Sequence, residues 1–315
     1  MKNRRSFITG ITTHYLTIKE KKFLNKYKPW GVILFSRNII TLNQTKKLTD
    51  DIRKVFNDNK YPILIDQEGG RVSRIEKLIN TSTFTGEYFG KIYKKNLKEF
   101  KIYYKIFNNQ ISFILNEIGI NVNTVPVLDL RRKKPKDIIG DRSFGSDPKI
   151  VSKIGDYCIN LFHSNNIGTV IKHIPGHGLT DIDSHKSTPK VKKKLAELLK
   201  EDFYVFKNKK SFFAMTAHII YQDIDSIHTA THSKKIINII RTKINFKNII
   251  MSDDISMKSL KFSIGKNVTR AFSAGCNLVL HCNGKYNEMV TVANKSPKLS
   301  NFLIKKTSQF YRILG

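Results

Sequence analysis

Cysteine, acidic residues and uninterrupted apolar runs are all scarce in this 315-residue chain, and each scarcity removes a class of protein. The three cysteines, Cys158, Cys276 and Cys282, are odd in number and show no Cys-x-x-Cys spacing. That excludes a disulfide framework and a zinc knuckle and fits a reducing compartment. The longest apolar stretches, such as residues 212–220, are interrupted by Thr216 and His218 and are far too short to span a bilayer, so no membrane insertion is expected. Residues 1–18 carry Lys2, Arg4 and Arg5 ahead of a mildly apolar run, but Thr12, Thr13 and His14 break it and no cleavage site follows. A soluble, cytoplasmic protein without a signal peptide is the expectation. No Gly-x-Gly-x-x-Gly follows an early strand-like run, which removes the nucleotide fingerprint of an open doubly wound sheet.

Against 25 acidic residues stand 56 lysines and arginines, a net charge of +31. Such an excess ordinarily points to nucleic acid or an anionic membrane. Its distribution argues otherwise: residues 19–22, Lys94 and Lys95, residues 192–194 and residues 207–210 spread it over nearly every helical segment. Solvated helix faces explain that pattern, and no nucleic-acid partner is expected. With 40% hydrophobic residues the chain can bury a full core, as one large α/β domain or two smaller ones.

What the chain has in abundance is a repeating order. Short β-rich runs at residues 7–11, 32–35, 63–65, 122–125, 169–171, 212–215, 249–251 and 278–280 alternate with longer segments. Those at residues 43–56, 97–118, 150–162, 191–206 and 233–244 carry apolar residues at three- and four-residue steps. Eight strand-then-helix units specify a (β/α)8 TIM barrel, here a single domain over residues 1–315. Sites in that fold are built at the carboxyl ends of the strands. Polar clusters stand at those positions: Ser36-Arg37-Asn38, Asp66 to Arg71 with Arg74, Asp129 and Gly140 to Gly145, Thr216-Ala217-His218, Ser252-Asp253-Asp254, and His281-Cys282-Asn283. Any one of them could be a helix cap, but their convergence on one end could not.

The densest stretch follows the fifth run. Lys172, His173, His177, Asp181, Asp183 and His185 fall within fourteen residues of a loop punctuated by Pro175, Gly176, Gly178 and Pro189. Asp183 and His185 lie two apart, close enough for the carboxylate to fix one imidazole tautomer and leave the other nitrogen for proton transfer. A chance Asp-x-His on a surface loop is the competing reading. Metal binding by His173, His177 and His185 is disfavoured, because the spacing is irregular and no cysteine or carboxylate completes a first shell. No metal and no cofactor are expected.

Asp66-Gln67-Glu68-Gly69-Gly70-Arg71-Val72, Ile139 to Gly145, Lys172-His173-x-Pro175-Gly176-His177-Gly178 with Asp183-Ser184-His185, Met215 to His218, and Ser252 to Met257 together resemble one known family. It is the bacterial β-N-acetylglucosaminidases of glycoside hydrolase family 3, with the cytoplasmic NagZ type of peptidoglycan recycling the nearest. The resemblance implies a retaining enzyme that releases terminal β-linked N-acetylglucosamine (GlcNAc) from muropeptide or other cell-wall fragments through a covalent glycosyl-aspartate intermediate. It assigns the nucleophile to Asp253 and the acid/base to His185, oriented by Asp183. It gives the sugar hydroxyls to Asp66, Arg74, Arg142, Lys172 and His173.

Side chains alternate along a strand, so only one of Asp253 and Asp254 is expected on the pocket face, with Asp254 capping the turn at Ile255. For Arg142 an ion pair with Asp141 or Asp129 is the structural alternative. His218 is expected to buttress its neighbours. The basic run Arg131-Arg132-Lys133-Lys134-Pro135-Lys136 departs from the family pattern and could attract an anionic muropeptide. Thr229-Ala230-Thr231-His232-Ser233 departs from it too. The alternatives in function are another family 3 β-glycosidase, such as a β-glucosidase, and a non-catalytic, basic RNA-binding barrel.

Overall fold

The computed structural model describes residues 1, 3–132, 138–180 and 187–315. Eight parallel strands close a ring: β1 (Arg5–Gly10), β2 (Pro29–Leu34), β3 (Ile63–Ile65), β4 (Val122–Asn123), β5 (Gly168–Ile174), β6 (Phe213–Thr216), β7 (Ile249–Asp254) and β8 (Leu278–His281). Ile8 of β1 lies opposite Leu280 of β8 on one side and Gly31 of β2 on the other, which closes the barrel. The expected (β/α)8 architecture is the one observed, and each of the eight expected runs overlaps a barrel strand.

Alternation along the strands divides the core in two. Ile8, Ile33, Leu64, Val170, Met251 and Leu280 pack with one another in one cluster. Their strand neighbours Phe7, Val32, Leu34, Ile63, Ile171 and Val279 belong to the other, with the helical residues Leu48, Ile111, Ile154 and Val268. A period of two on every strand thus supplies both the barrel filling and the floor for the outer helices.

Helices at Leu42–Phe56, Leu97–Glu117, Pro148–Ser164 and Lys234–Thr242 match four expected segments to within two residues at each end. Their starts follow from local chemistry. Thr41, Asn96, Asp147 and Ser233 each accept backbone N–H groups of the first turn. The fifth segment, residues 191–206, is not one helix. Lys190–Val191 pairs instead with Ile220–Tyr221 in a two-stranded sheet, the helix covers only Leu195–Lys200, and a 3-10 turn follows at Tyr204–Phe206. Two interactions outcompete the helical period: the backbone of Gln222 donates to Val191, and Asp202 turns inward to an ion pair with Arg132 at 2.8 Å.

The C-terminal helix Asn301–Arg312 closes the end of the barrel where the strands begin. Phe310 packs edge-on against Phe213 at 5.3 Å, and Trp30 donates to Thr307 at 2.9 Å. At the opposite end the described residues leave a cavity. Among the described residues no helix is long and apolar enough to cross a membrane.

Candidate active site

At the carboxyl end of the strands, Phe35, Asp66, Glu68, Arg74, Arg142, Lys172, His173, Asp253 and Cys282 are among the residues lining one cavity of about 850 Å³, including its part open to solvent. That is ample for a monosaccharide. The polar groups are delivered by strand ends and the turns that follow them. Lys172 and His173 lie within β5, and Asp253 and Asp254 finish β7. After β3 the backbone doubles back at Gly69, whose φ of 93° and close approach to the carbonyl of Phe84 leave no room for a side chain.

Lys172 organises one wall. Its ammonium donates to Glu68 at 2.7 Å, to the Thr124 hydroxyl at 2.8 Å and to Asp66 at 3.2 Å, and it is 3% exposed. Thr124 in turn donates to Asp66. Arg74 approaches the other oxygen of Asp66 at 3.6 Å and lies 5.5 Å from the centre of the Phe35 ring. Arg142 forks onto Glu68 with two bonds, of 2.7 and 2.8 Å. Burial pushes the Glu68 carboxyl up, but Arg142 and Lys172 outweigh it and hold the group far below the usual carboxylate range. Arg142 is thus held by Glu68 rather than by Asp141 or Asp129; Asp141 faces Arg71 at 3.3 Å.

A second arrangement fixes His173. The fully buried Asp129 accepts the backbone N–H of His177 at 2.6 Å, that of His173 at 3.2 Å, and Nδ1 of His173 at 2.6 Å. An ionised carboxylate only accepts, so Nδ1 carries the proton and Nε2 is left for the cavity. Burial opposes ionisation of Asp129, yet His173 and His177 keep its pKa below the ordinary value. His177 is driven the other way: burial and the neighbouring His173 push it down to about 4, so it is neutral at pH 7.

Both Asp253 and Asp254 line the cavity, which corrects the expectation that alternation admits only one of them. The pairing register between β7 and β8 shifts at this point, between Leu278 and Leu280, and the strict alternation of a regular ladder ends there. Their bonding differs. Asp254 accepts from the backbone and hydroxyl of Ser256 at 3.0 and 2.9 Å and from the backbone of Cys282 at 3.4 Å. Among the described residues Asp253 accepts only the N–H of Asp254, at 2.7 Å, and no cation pairs with it. Burial raises the Asp253 pKa, but His173 and His218 bring the carboxyl below its usual value, so it is ionised at neutral pH. His218 itself is buried, bonded to the Thr231 hydroxyl at 2.7 Å and the Asp254 carbonyl at 3.1 Å. Through Thr231 the departing segment after β6 still serves the site, and Ser233 caps the next helix.

Asp183 and His185 lie outside the described residues. The chain on either side of them is anchored: Thr180 bonds Nδ1 of His177 at 3.0 Å, and Thr188 donates to the Ser259 carbonyl at 2.7 Å. Of the basic run, residues 133–136 are likewise outside, and its two arginines are engaged. Arg131 pairs with Glu87, and Arg132 with Glu201 at 2.7 Å and Asp202 at 2.8 Å, so neither offers the free charge expected of it. Among the described residues no three His, Cys, Asp or Glu side chains gather as a metal site.

The bonds that make Glu68 and Asp129 the holders of their neighbours lie beyond the sequence reading. Glu68 had a signal, since Asp66-x-Glu68 in extended backbone puts both carboxylates on one side. Asp129 stands at a strand end in the sequence, but nothing there ties it to His173, because its partners come from residues 173 and 177.

A sequence model of the glycosyl hydrolase family 3 N terminal domain matches residues 13–309. The chain belongs to glycosyl hydrolase family 3. It is 30% identical over 319 residues to a β-hexosaminidase of Psychromonas ingrahamii, covering 98% of this chain and 90% of that protein. Among solved structures, native NagZ from Neisseria gonorrhoeae superposes with a TM-score of 0.88 at 28% identity, covering 99% of this chain and 90% of that one. The same Neisseria protein in complex with N-trifluoroacetyl-D-glucosamine superposes with a TM-score of 0.82 at 26% identity, covering 99% and 96%.

Proposed function

We propose that the chain is a retaining β-N-acetylglucosaminidase that removes terminal β-linked GlcNAc from muropeptide or other cell-wall fragments. The observation that carries this reading is the isolation of Asp253: an ionised carboxylate facing a sugar-sized cavity, with one backbone N–H as its hydrogen-bond partner among the described residues. A nucleophile needs a free lone pair, and every other acid of that wall is tied to a cation or to a turn. The relatives' hexosaminidase activity and the N-acylglucosamine analogue bound by the Neisseria protein support an acetamido sugar as the substrate.

In this reading an Asp253 oxygen attacks the anomeric carbon while the bond to the leaving oxygen breaks, and His185 gives that oxygen its proton. Water then attacks the glycosyl-aspartate, His185 takes a proton from it, and the carboxylate of Asp253 is regenerated. Asp183 orients the imidazole. The unperturbed pKa of an imidazole, about 6.5, suits both halves of the cycle near neutrality. Asp66, Arg74, Arg142, Lys172 and His173 hold the hydroxyls. The absence of a disulfide among Cys158, Cys276 and Cys282 supports a cytoplasmic site of action.

Release of 4-nitrophenol from the β-N-acetylglucosaminide and from the β-glucoside tests the proposal. The first substrate should turn over at least about 100-fold faster, and Asp253→Ala should abolish both reactions. His185→Ala should be impaired less on this good leaving group than on a sugar aglycone, which needs the proton. Equal rates on the two glycosides would overturn the substrate, and equal defects on good and poor leaving groups would remove His185 from the acid role.

A further inference from the structure

The 21-residue helix Leu97–Glu117 lies on the outside of the barrel and buries Phe100, Tyr104, Ile111 and Leu115 against it. Its outward face should be polar if water bounded it. Instead it carries Ile102, Ile106 and Phe113, which are 48%, 58% and 66% exposed. At 3.6 residues per turn these three fall within about 40° of one another around the helix axis, roughly opposite the buried set. Tyr103, 49% exposed, widens the strip. A helix that is apolar on both faces is suited to a second partner.

The charge around the strip identifies the chemistry of that partner. Lys98, Lys101 and Lys105 follow one edge of it, and Lys94 and Lys95 end the helix immediately before, Gly86–Lys95. All five are exposed, and none is in an ion pair among the described residues. On the other edge stand Glu99, hydrogen-bonded by Asn96 at 2.9 Å, and Glu117. A second copy of this chain would bring one net charge of +31 against another. An anionic surface with an apolar interior satisfies both halves of the pattern, phosphates for the lysines and acyl chains for the isoleucines and phenylalanine.

We propose that the outward face of helix Leu97–Glu117 docks the protein on an anionic lipid surface. The helix lies in the plane of the headgroups, with Ile102, Ile106 and Phe113 entering the acyl boundary. The helices of this fold flank the strands, so the cavity at the strand ends opens sideways to the surface and stays accessible.

Flotation of the full chain with phosphatidylcholine vesicles, with and without phosphatidylglycerol, tests this. The anionic vesicles should bind at least about tenfold more protein than the neutral ones, and added salt should weaken that binding. Ile106→Glu with Phe113→Glu should reduce binding about tenfold or more, and the milder Phe113→Ser should reduce it in part. Lys98→Gln with Lys105→Gln should remove much of the salt-sensitive part. Lys207→Gln with Lys210→Gln, the same charge change at exposed positions elsewhere, should bind as the wild type does. Thermal melting by circular dichroism checks that each variant folds. Absence of binding, equal binding to neutral vesicles, or indifference to the glutamate substitutions overturns the proposal. So does a wild type that sediments as a dimer and becomes a monomer in the glutamate variant, which would give the strip to a second copy.

Discussion

At the end of the barrel where the strands begin, Arg4, Asp58 and Tyr311 close a triangle of hydrogen bonds: Arg4 to Asp58 at 2.5 Å, Arg4 to Tyr311 at 3.0 Å and Tyr311 to Asp58 at 2.8 Å. Beside it Phe310 plugs the opening. At the end where the strands finish, the described residues make no such closure. Asp66, Glu68, Arg142 and Lys172 form a charged wall around open space, and Asp253 faces that space without a cation among the described residues. One end ties its charged groups to one another, and the other leaves Asp253 without a cation among the described residues. The physical lesson is that stability and chemistry are separated along the barrel axis, which makes them separable by substitution.

The largest expected effect is on turnover. Asp253→Asn should lower kcat on the chromogenic N-acetylglucosaminide by about 10⁴-fold, or about 5.5 kcal/mol of barrier. Its melting temperature should be unchanged or raised, because a half-buried charge without a cation has been removed. Phe310→Ala should behave inversely. Opening a cavity in the plug should cost about 3–5 kcal/mol of unfolding free energy, read by denaturant titration, while kcat per folded molecule stays at the wild-type value. A drop in kcat for Phe310→Ala at a temperature where the variant is folded would break the comparison.

Glu68→Gln is the test of the boundary between the two behaviours. It leaves Arg142 and Lys172 largely buried without the carboxylate that binds them both, and should cost about 3 kcal/mol in stability and about tenfold or more in kcat/KM. The pH dependence has a definite sign. Burial raises the Glu68 pKa but Arg142 and Lys172 overcome it, so the folded value is depressed relative to the unfolded one. Its contribution is therefore fully present above the unfolded value of about 4.3 and is lost as pH falls through the folded one. The stability gap between wild type and Glu68→Gln should be flat from neutrality down to about pH 5 and shrink in stronger acid. A gap that widened in acid would mean that Glu68 is protonated in the folded protein.

How much of this was legible in the sequence depended on whether the deciding partner was near in the chain. Strands such as Ile63–Ile65 and Leu278–His281 announce themselves, because a buried parallel strand is a short apolar run whatever its neighbours. The cavity residues were legible as a group because strand ends converge in a closed barrel. The partner of each was not: the sequence offers Arg142 the nearer Asp141 and Asp129, while the carboxylate that holds it stands 74 residues away at Glu68. Val191 fits a helical period as well as Leu198 does, and only its pairing with Tyr221 makes it a strand. The helix Leu97–Glu117 was legible as a helix, but apolar residues all round it do not say which face meets the barrel.

The smallest expected effect distinguishes the two neighbouring aspartates. Asp254 holds the turn at Ser256 and the backbone of Cys282, and its own carbonyl bonds His218. An asparagine there keeps a carbonyl oxygen able to accept the same N–H and O–H groups. Asp254→Asn should therefore lower kcat by no more than about tenfold and cost about 1 kcal/mol in stability, through weaker bonds at an intact turn. Asp253→Asn has no such substitute, because an amide oxygen cannot form and release an acyl-type ester with the anomeric carbon. The ratio of the two defects, measured on the same chromogenic substrate, should be about 10³ in favour of Asp253. If the two aspartates lose activity equally, the nucleophile is no longer assigned by its isolation, and the contrast between the ends of the barrel loses its sharpest point.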